Sequence, residues 1–324
     1  MTVVGFHASH EQIHPTVSLR AVQRAEEAGF TAAMCSDHYL PWSERQGQSA
    51  FAWSWLGAAL QATGLPFGVV NAPGQRYHPA IIAQASATLA AMYPGRFWAA
   101  LGSGQALNEH IVGEHWPRKE IRNVRLRECV DVIRRLYTGD EVNHYGLVTV
   151  DRARLFTVPE VPPPLIGAAI TVATAEWVAQ WADGLITVNA PHDHLRAMID
   201  AYRSAGGRGD LHLQVHLSYG ADDETARAVA YDQWRTNVLP SPVSWDLNTA
   251  ADYDAVGELV SAERVESSVR VSGDPARHAG WLQEYVDLGF DEIYLHHVGQ
   301  QQEEFIDVFG AKVLPQLEVT RKLG

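Results

Sequence analysis

The sequence predicts an α/β protein with a closed (β/α)8 barrel, the TIM-barrel fold, for three reasons. Short apolar runs alternate with longer amphipathic stretches along the chain, which is typical of βα repeats and a parallel sheet. Eight such runs are present, as a closed barrel requires. A chain of 324 residues is also an ordinary length for one barrel with insertions.

The eight predicted strands span residues 3–8, 32–36, 65–70, 97–101, 165–169, 184–188, 211–219 and 292–296. The clearest helices are 15–28, which Gly29 ends, and 120–137, which ends at Thr138 and Gly139. Two stretches interrupt the repeat. Residues 142–161 predict a small hairpin, and the polar stretch 236–266 predicts an insertion that could cover the barrel mouth as a lid. We therefore predict a single domain over 1–324.

Composition limits the classes of partner. A net charge of −13 disfavours nucleic acids and anionic membranes, both of which attract basic surfaces. No apolar run is long enough to span a bilayer, and the first residues lack the basic and apolar segments of a signal peptide. The two cysteines, Cys35 and Cys129, lie in apolar segments and are expected to be buried free thiols. We expect a cytoplasmic protein with a small-molecule substrate.

Polar residues gather after the predicted strands, at the end where barrels of this class place their active sites. Asp37 and His38 follow the second strand, and a histidine beside a carboxylate can move protons near neutral pH. Trp42 could form a pocket wall for a flat ring. The alternative is a strand-end aspartate that caps the next segment beside an incidental histidine.

Two further segments could contact a ligand. Gly102, Ser103 and Gly104 let the backbone approach a ligand closely, although a plain strand-to-helix turn explains them better when they are taken alone. The small-residue segment 168–174 opens a predicted helix, whose free N–H groups could bind phosphate, with Thr171 and Thr174 adding hydroxyls. An ordinary N-cap by threonine is the alternative interpretation.

Fifteen histidines raise the question of a metal site. His7 and His10 are three residues apart, so they cannot share one face of a strand. His212 and His216 share a face of the seventh strand, whereas His296 and His297 point to opposite faces of the eighth. We therefore expect no metal, and a metal-dependent hydrolase remains a rival hypothesis.

Four segments together resemble the luciferase-like (bacterial luciferase) superfamily. They are Ala8-Ser9-His10-Glu11-Gln12, Ser36-Asp37-His38 with Pro41-Trp42, Arg76-Tyr77-His78-Pro79-Ala80, and 102–109. The closest branch resembles the deazaflavin-dependent glucose-6-phosphate dehydrogenases, and the segments from 272 to 315 are similar to the same branch. The resemblance implies a barrel, a flavin or deazaflavin in its mouth, and a homodimer.

The resemblance also implies roles for individual residues. Asp37 would hold the ring edge, His38 would handle the proton, and Trp42 would line the reacting face. Val70 and Asn71 would form a strained, often cis, peptide against the ring. The other expected cofactor contacts are Ser103, Gly104 and Asn108, with the phosphate cradled by Ala169, Ile170, Thr171 and Val172.

The chain departs from that branch at two places. Gln105 stands where the dehydrogenases carry a catalytic glutamate, and glutamine cannot exchange a proton near neutral pH. Glu109, one helical turn away, is a possible substitute. The basic residues that grip the sugar phosphate lack counterparts in 188–192 and 266–268, and Arg270 is out of step. These departures predict a substrate that is not a sugar phosphate.

The glutamine variant resembles a sister group that uses FMN. We therefore expect an FMN-dependent monooxygenase that acts on a small, uncharged or weakly charged organic molecule, with a separate flavin reductase as a possible partner. The close alternative is a dehydrogenase that uses the deazaflavin coenzyme F420 and transfers hydride. A flavin-binding barrel without catalytic activity is a further alternative.

Overall fold

A computed structural model describes residues 2–318 of the chain. Its strands are β1 (Val3–Ala8), β2 (Ala32–Ser36), β3 (Phe67–Asn71), β4 (Phe97–Leu101), β5 (Val142–Tyr145), β6 (Thr149–Ala153), β7 (Leu165–Ala168), β8 (Gly184–Val188), β9 (Asp210–Tyr219), β10 (Arg270–Ser272) and β11 (Glu292–His297). Eight of them pair in parallel, in the order β9, β11, β1, β2, β3, β4, β7, β8, and pairing of β8 with β9 closes the ring. The predicted (β/α)8 barrel is confirmed.

The helices surround this ring. They are α1 (Pro15–Glu27), α2 (Ala52–Ala62), α3 (Pro79–Met92), α4 (Ala106–Glu109), α5 (Lys119–Leu136), α6 (Val172–Val178), α7 (His192–Ser204), α8 (Asp223–Trp234), α9 (Val243–Asp246), α10 (Ala250–Gly257), α11 (Ala262–Glu266), α12 (Pro275–Asp287) and α13 (Glu303–Val308). Helix α1 illustrates how proline and glycine mark the ends of a helix in the sequence. Pro15 occupies its first turn, where no N–H partner is lost, and Gly29 follows its end with a positive φ of 100°.

Large side chains fill the lower part of the barrel. Trp98, Met34 and Tyr294 pack there with Ile166 and Ile186. Glycine is required at position 68, because a Cβ there would lie 2.0 Å from the Trp98 ring. This filled interior leaves room for ligands only towards the carboxyl ends of the strands.

Both predicted insertions are present. Strands β5 and β6 form the hairpin, and α9, α10 and α11 lie in the second insertion. Asp254 of α10 accepts a hydrogen bond from Ser43 at 2.6 Å and pairs with Arg45 at 2.8 Å. These contacts fasten the insertion to the loop after β2, so it covers the barrel mouth.

The short strand β10 was not predicted. It adds to the edge of β9 outside the closed ring, and it is too short and polar to give a recognisable pattern. The single domain over 1–324 stays a prediction, and its end residues 1 and 319–324 lie outside the described residues. Cys35 and Cys129 are buried free thiols, as expected. Within residues 2–318, no helix has the length and apolar character needed to cross a membrane.

Candidate functional site

Two adjoining cavities open at the carboxyl ends of the barrel strands. The first, of about 250 Å³, is lined from the β2, β3, β4, β7 and β8 side of the ring. The second, of about 260 Å³, is lined from β1, β2, β9 and β11 and from the second insertion. Six residues line both: His38, Gln105, Ile170, Val188, Gln214 and Trp245. The arrangement suits two ligands that meet at this shared wall.

His38 is held in the shared wall by a buried carboxylate. Its Nδ1 lies 2.6 Å from Oε1 of Glu11, and the other oxygen of Glu11 accepts a hydrogen bond from Ser9 at 2.8 Å. Burial acts to raise the pKa of Glu11, but the attraction of His38 and the bond to it outweigh burial and bring the pKa to about 2. Glu11 therefore stays ionised and orients His38, which leaves Nε2 as the ring nitrogen available to a ligand.

The floor of the second cavity is a cluster of uncharged imidazoles. The His7 and His296 rings stack at 4.1 Å, and Gln214 bridges His216 and His296 at 3.3 and 3.0 Å. Burial lowers the pKa of His7 to about 4 and that of His216 to about 3. The floor thus offers neutral hydrogen-bonding groups beside the ionised Glu11 and its partner His38.

Asp37, expected at the ring edge, lines the first cavity but is already engaged by protein groups. Tyr77 and Trp53 donate hydrogen bonds to its carboxylate at 3.3 and 3.2 Å, and Arg76 lies 3.4 Å away. Burial raises the pKa of Asp37, and the charge of Arg76 opposes that rise. Asp37 therefore fixes the segment that carries His38 as well as facing the cavity.

Glu109 is not positioned to replace the acid that Gln105 lacks. Its Oε2 accepts a hydrogen bond from the Arg76 amide at 2.7 Å, and its Oε1 lies 3.7 Å from the Arg76 guanidinium. Glu109 lines the first cavity, whereas Gln105 lies in the shared wall. These contacts with Arg76 argue against an acid/base role for Glu109 in place of residue 105, and that role stays a prediction.

Three residues expected at the cofactor come from β4 and α4. Ser103 and Gly104 line the first cavity, and Gly104 has a positive φ of 81° that favours glycine. Asn108 also lines this cavity, but its Oδ1 accepts hydrogen bonds from the amides of Tyr39 and Leu40 at 2.8 and 3.3 Å. Asn108 thereby holds the loop that follows His38.

Val70 and Asn71 line the first cavity, but the cis peptide expected between them is absent. Strand β3 runs through both residues in register with β4, which keeps the backbone extended. Among the described residues, the cis peptide bond is Ser241–Pro242. The Oδ1 atom of Asn71 is buried without a hydrogen-bond partner, so it is available to an N–H group in the cavity.

The expected phosphate cradle lies at the junction of β7 and α6. Ala169, Ile170 and Thr171 line the first cavity with Thr174, whereas Val172 begins the helix without lining it. Thr171 caps α6 by accepting a hydrogen bond from the Thr174 amide at 3.3 Å. The segment is therefore an N-cap that also borders the cavity, and phosphate binding there stays a prediction.

Trp42 forms a wall of the second cavity. Its ring stands edge-to-face against His38 at 5.4 Å and against Tyr253 of α10 at 5.2 Å. Further apolar surface comes from Trp234 at the end of α8 and from Leu239 and Trp245 of the second insertion. The cavity therefore combines indole walls with the polar floor.

Several residues of the second cavity were not singled out from the sequence. Glu11 lay in the resembling segment 8–12 but received no role, and His7, Gln214, His216 and His296 were assessed only as metal ligands or not at all. For Gln214 and His216 the sequence held a signal, because residues two apart on a strand share one face, and both share a face of β9 with His212. Among the described residues, no group of three or more His, Cys, Asp or Glu side chains could hold a metal ion.

Comparison with known proteins agrees with this geometry. The family model for luciferase-like monooxygenases matches residues 1–292. F420-dependent glucose-6-phosphate dehydrogenases from Intrasporangium calvum and Microbacterium testaceum are 34% and 33% identical, covering 98% and 97% of this chain and 99% and 96% of theirs. A solved F420-dependent secondary alcohol dehydrogenase, in complex with an F420-acetone adduct, is 30% identical with a TM-score of 0.91, covering 99% of both chains.

These relatives correct two expectations. FMN as the cofactor and monooxygenation of a substrate other than a sugar phosphate are both wrong, because the relatives are F420-dependent dehydrogenases, several of them named for glucose 6-phosphate. Gln105 alone therefore does not indicate FMN in a chain that resembles F420-dependent dehydrogenases over nearly its whole length. The expectation of a flavin- or deazaflavin-dependent oxidoreductase is confirmed, and the chain belongs to the luciferase-like monooxygenase family.

Proposed function

We propose that the protein is an F420-dependent dehydrogenase that oxidises a hydroxyl-bearing carbon to a carbonyl. The observation that carries the proposal is the shared wall, where the paired Glu11 and His38 stand between two ligand-sized cavities. The relatives named for glucose 6-phosphate and for secondary alcohols support the same chemistry, because each name denotes oxidation of a carbon that carries a hydroxyl group.

The residues of the first cavity fit a deazaflavin. The unpartnered Asn71 Oδ1 suits a ring N–H group, and the glycines at 102 and 104 leave room beside the end of β4. Thr171 and Thr174 supply hydroxyls where a phosphate would border α6. When bound, F420 supplies a hydride acceptor that takes two electrons from the substrate carbon.

His38 is the proposed proton acceptor. Loss of hydride from the carbinol carbon leaves the hydroxyl proton to be removed, and Nε2 of His38 takes it as the carbonyl forms. Glu11 stabilises the resulting imidazolium through its contact with Nδ1. The substrate C–H and O–H bonds would break as the C=O bond forms; His38 takes the proton, and F420, when bound, would take the hydride.

Gln105 orients the substrate rather than exchanging its proton. It lines both cavities, so its amide group can donate a hydrogen bond to the substrate oxygen at the shared wall. The neutral floor of His7, His216 and His296 can position further polar groups of the substrate. Proton transfer is thereby assigned to His38, which Glu11 orients, and Gln105 only positions the substrate.

A turnover assay tests the proposal. Purified protein with F420 is given glucose 6-phosphate or propan-2-ol, and loss of the oxidised deazaflavin absorbance is followed. We expect turnover with at least one hydroxyl compound, and His38→Ala should reduce kcat at least about a hundredfold while F420 still binds. His115→Ala, an exposed control, should match the wild type. Unchanged turnover of His38→Ala would remove His38 from the mechanism.

Other expectations stay predictions. A homodimer is proposed from the family resemblance alone, and sedimentation analysis would test it. A separate flavin reductase has no place in this reaction, because the substrate itself supplies the hydride. The cytoplasmic location also stays a prediction.

A further inference from the structure

Three cations lie close together on α5, and the first of them, Lys119, lines the first cavity. Lys119, Arg122 and Arg125 lie on successive turns of the helix, with Arg122 and Arg125 only 3% and 8% exposed. The chain as a whole carries a net charge of −13, so a buried concentration of positive charge is contrary to its overall balance. Buried cations are usually paired with anions, and the partners of these three therefore need to be identified.

The contacts of this group are largely with uncharged atoms. Lys119 Nζ donates a hydrogen bond to Ser103 Oγ at 2.8 Å and lies 5.1 Å from the centre of the Trp245 ring. Arg125 donates to Gln75 Oε1 at 2.7 Å. Arg122 stacks on Trp116 at 4.2 Å, and its Nε is buried without a hydrogen-bond partner.

Asp246 provides weak compensation for Arg122. It lies 4.0 Å away, is largely exposed, and also accepts a hydrogen bond from Trp116 at 3.1 Å. Burial lowers the pKa of Lys119 to about 8 and also lowers the pKa of Arg122 and Arg125. An anion beside Lys119 would stabilise its charged form and so offset this effect of burial.

The position of Lys119 indicates which anion. It lines the first cavity beside Ser103, at the end of β4, and the neighbouring strand β7 leads into the Thr171 segment. If the cofactor ring lies at the shared wall and the phosphate borders Thr171, the part of the cofactor beyond the phosphate would extend out of the cavity between the Ser103 and Thr171 segments. F420 continues beyond its phosphate into lactyl and glutamyl groups that carry carboxylates, whereas FMN ends at its phosphate.

We propose that Lys119, supported by Arg122, binds the carboxylates of the F420 tail beyond the phosphate. This inference rests on the proposed function and adds a reason for the preference for F420 over FMN. Trp116 and Trp245 hold the cations in place, and the unpaired charge in the free protein supplies the attraction.

A binding titration tests the proposal without turnover. Fluorescence quenching gives dissociation constants for F420, for its 5′-phosphate precursor without lactyl and glutamyl groups, and for the deazaflavin riboside that lacks the phosphate as well. For Lys119→Met we expect F420 binding to weaken about tenfold, while binding of both shorter compounds changes less than about twofold. The salt dependence of F420 binding should also diminish in the variant.

Arg118→Met is the matched control, because Arg118 precedes Lys119 and is exposed. It should bind F420 as the wild type does, and thermal unfolding should show that both variants are folded. Equal weakening for F420 and the 5′-phosphate compound would overturn the assignment to the tail carboxylates. So would unchanged F420 binding by Lys119→Met. Failure of the wild type to bind F420 or the riboside would instead overturn the proposed function.

Discussion

The buried Glu11 and the partly exposed His38 form a pair 2.6 Å apart at the meeting point of two cavities. Glu11 follows β1 and His38 follows β2, so the parallel pairing of these neighbouring strands brings the two residues together. A carboxylate held at Nδ1 sets the tautomer of the imidazole and favours its protonated form after proton transfer. The pair therefore prepares His38 to accept a proton from a ligand in the second cavity.

Glu11→Gln should lower kcat about a hundredfold with little change in KM, because the imidazolium loses its buried counter-charge. Glu27→Gln, an exposed change on α1, is the control. Ser9→Ala removes only the hydrogen bond to Glu11 and should give a smaller loss. A folded Glu11→Gln variant with normal kcat would contradict the assigned role.

Arg76 should be a main source of stability at the first cavity, because it lies between the buried carboxylates of Asp37 and Glu109. Arg76→Met leaves both without their cation, and we expect a loss of about 3–5 kcal/mol in the free energy of unfolding at pH 7. The loss should shrink at pH 5, since the pKa of each carboxyl group is raised by burial and protonation removes the charge.

Chemical denaturation measures this effect. Arg20→Met, an exposed substitution on α1, should change the free energy of unfolding by less than about 0.5 kcal/mol. A comparable small change for Arg76→Met would show that the carboxylates do not depend on Arg76.

Buried histidines should make the protein less stable in mild acid. Burial lowers the pKa of His10 to about 4, and both of its ring nitrogens are buried without partners. The unfolded chain binds the proton with a pKa near 6.5, so stability falls as pH drops from about 6.5 towards 4. One such histidine costs about 2 kcal/mol at pH 5.

His10→Leu should therefore raise stability at pH 5 relative to pH 8, since the leucine cannot take up a proton. Thermal unfolding at the two pH values measures the difference, with the exposed His115→Leu as control. A wild-type midpoint that is equal at pH 5 and pH 8 would contradict the neutral state of the buried histidines.

The barrel was predictable because its signals are local. Alternating apolar runs gave all eight ring strands, with ends that differ by at most two residues from those observed, and Pro15 and Gly29 marked the limits of α1. Strand β10 escaped because its three residues, Arg270–Ser272, carry no periodic pattern.

The candidate site was predictable only in part, because its contacts are not local. Asp37 and His38 stood out as neighbours in sequence, whereas the Glu11 and His38 contact depends on the pairing of β1 with β2. The contact between Glu109 and Arg76, which argues against the role considered for Glu109, joins residues 33 positions apart and has no signal in the sequence. Gln105 stood out in the sequence as a departure from the catalytic glutamate of the dehydrogenases. The lack of a carboxylate at this position did not, however, indicate the correct cofactor.

The most direct measurement is a paired titration of cofactor-free protein with F420 and with FMN, followed by fluorescence. We expect saturable binding of one F420 per chain, with a dissociation constant for F420 below that for FMN. Tighter binding of FMN, or no binding of F420, would contradict the account.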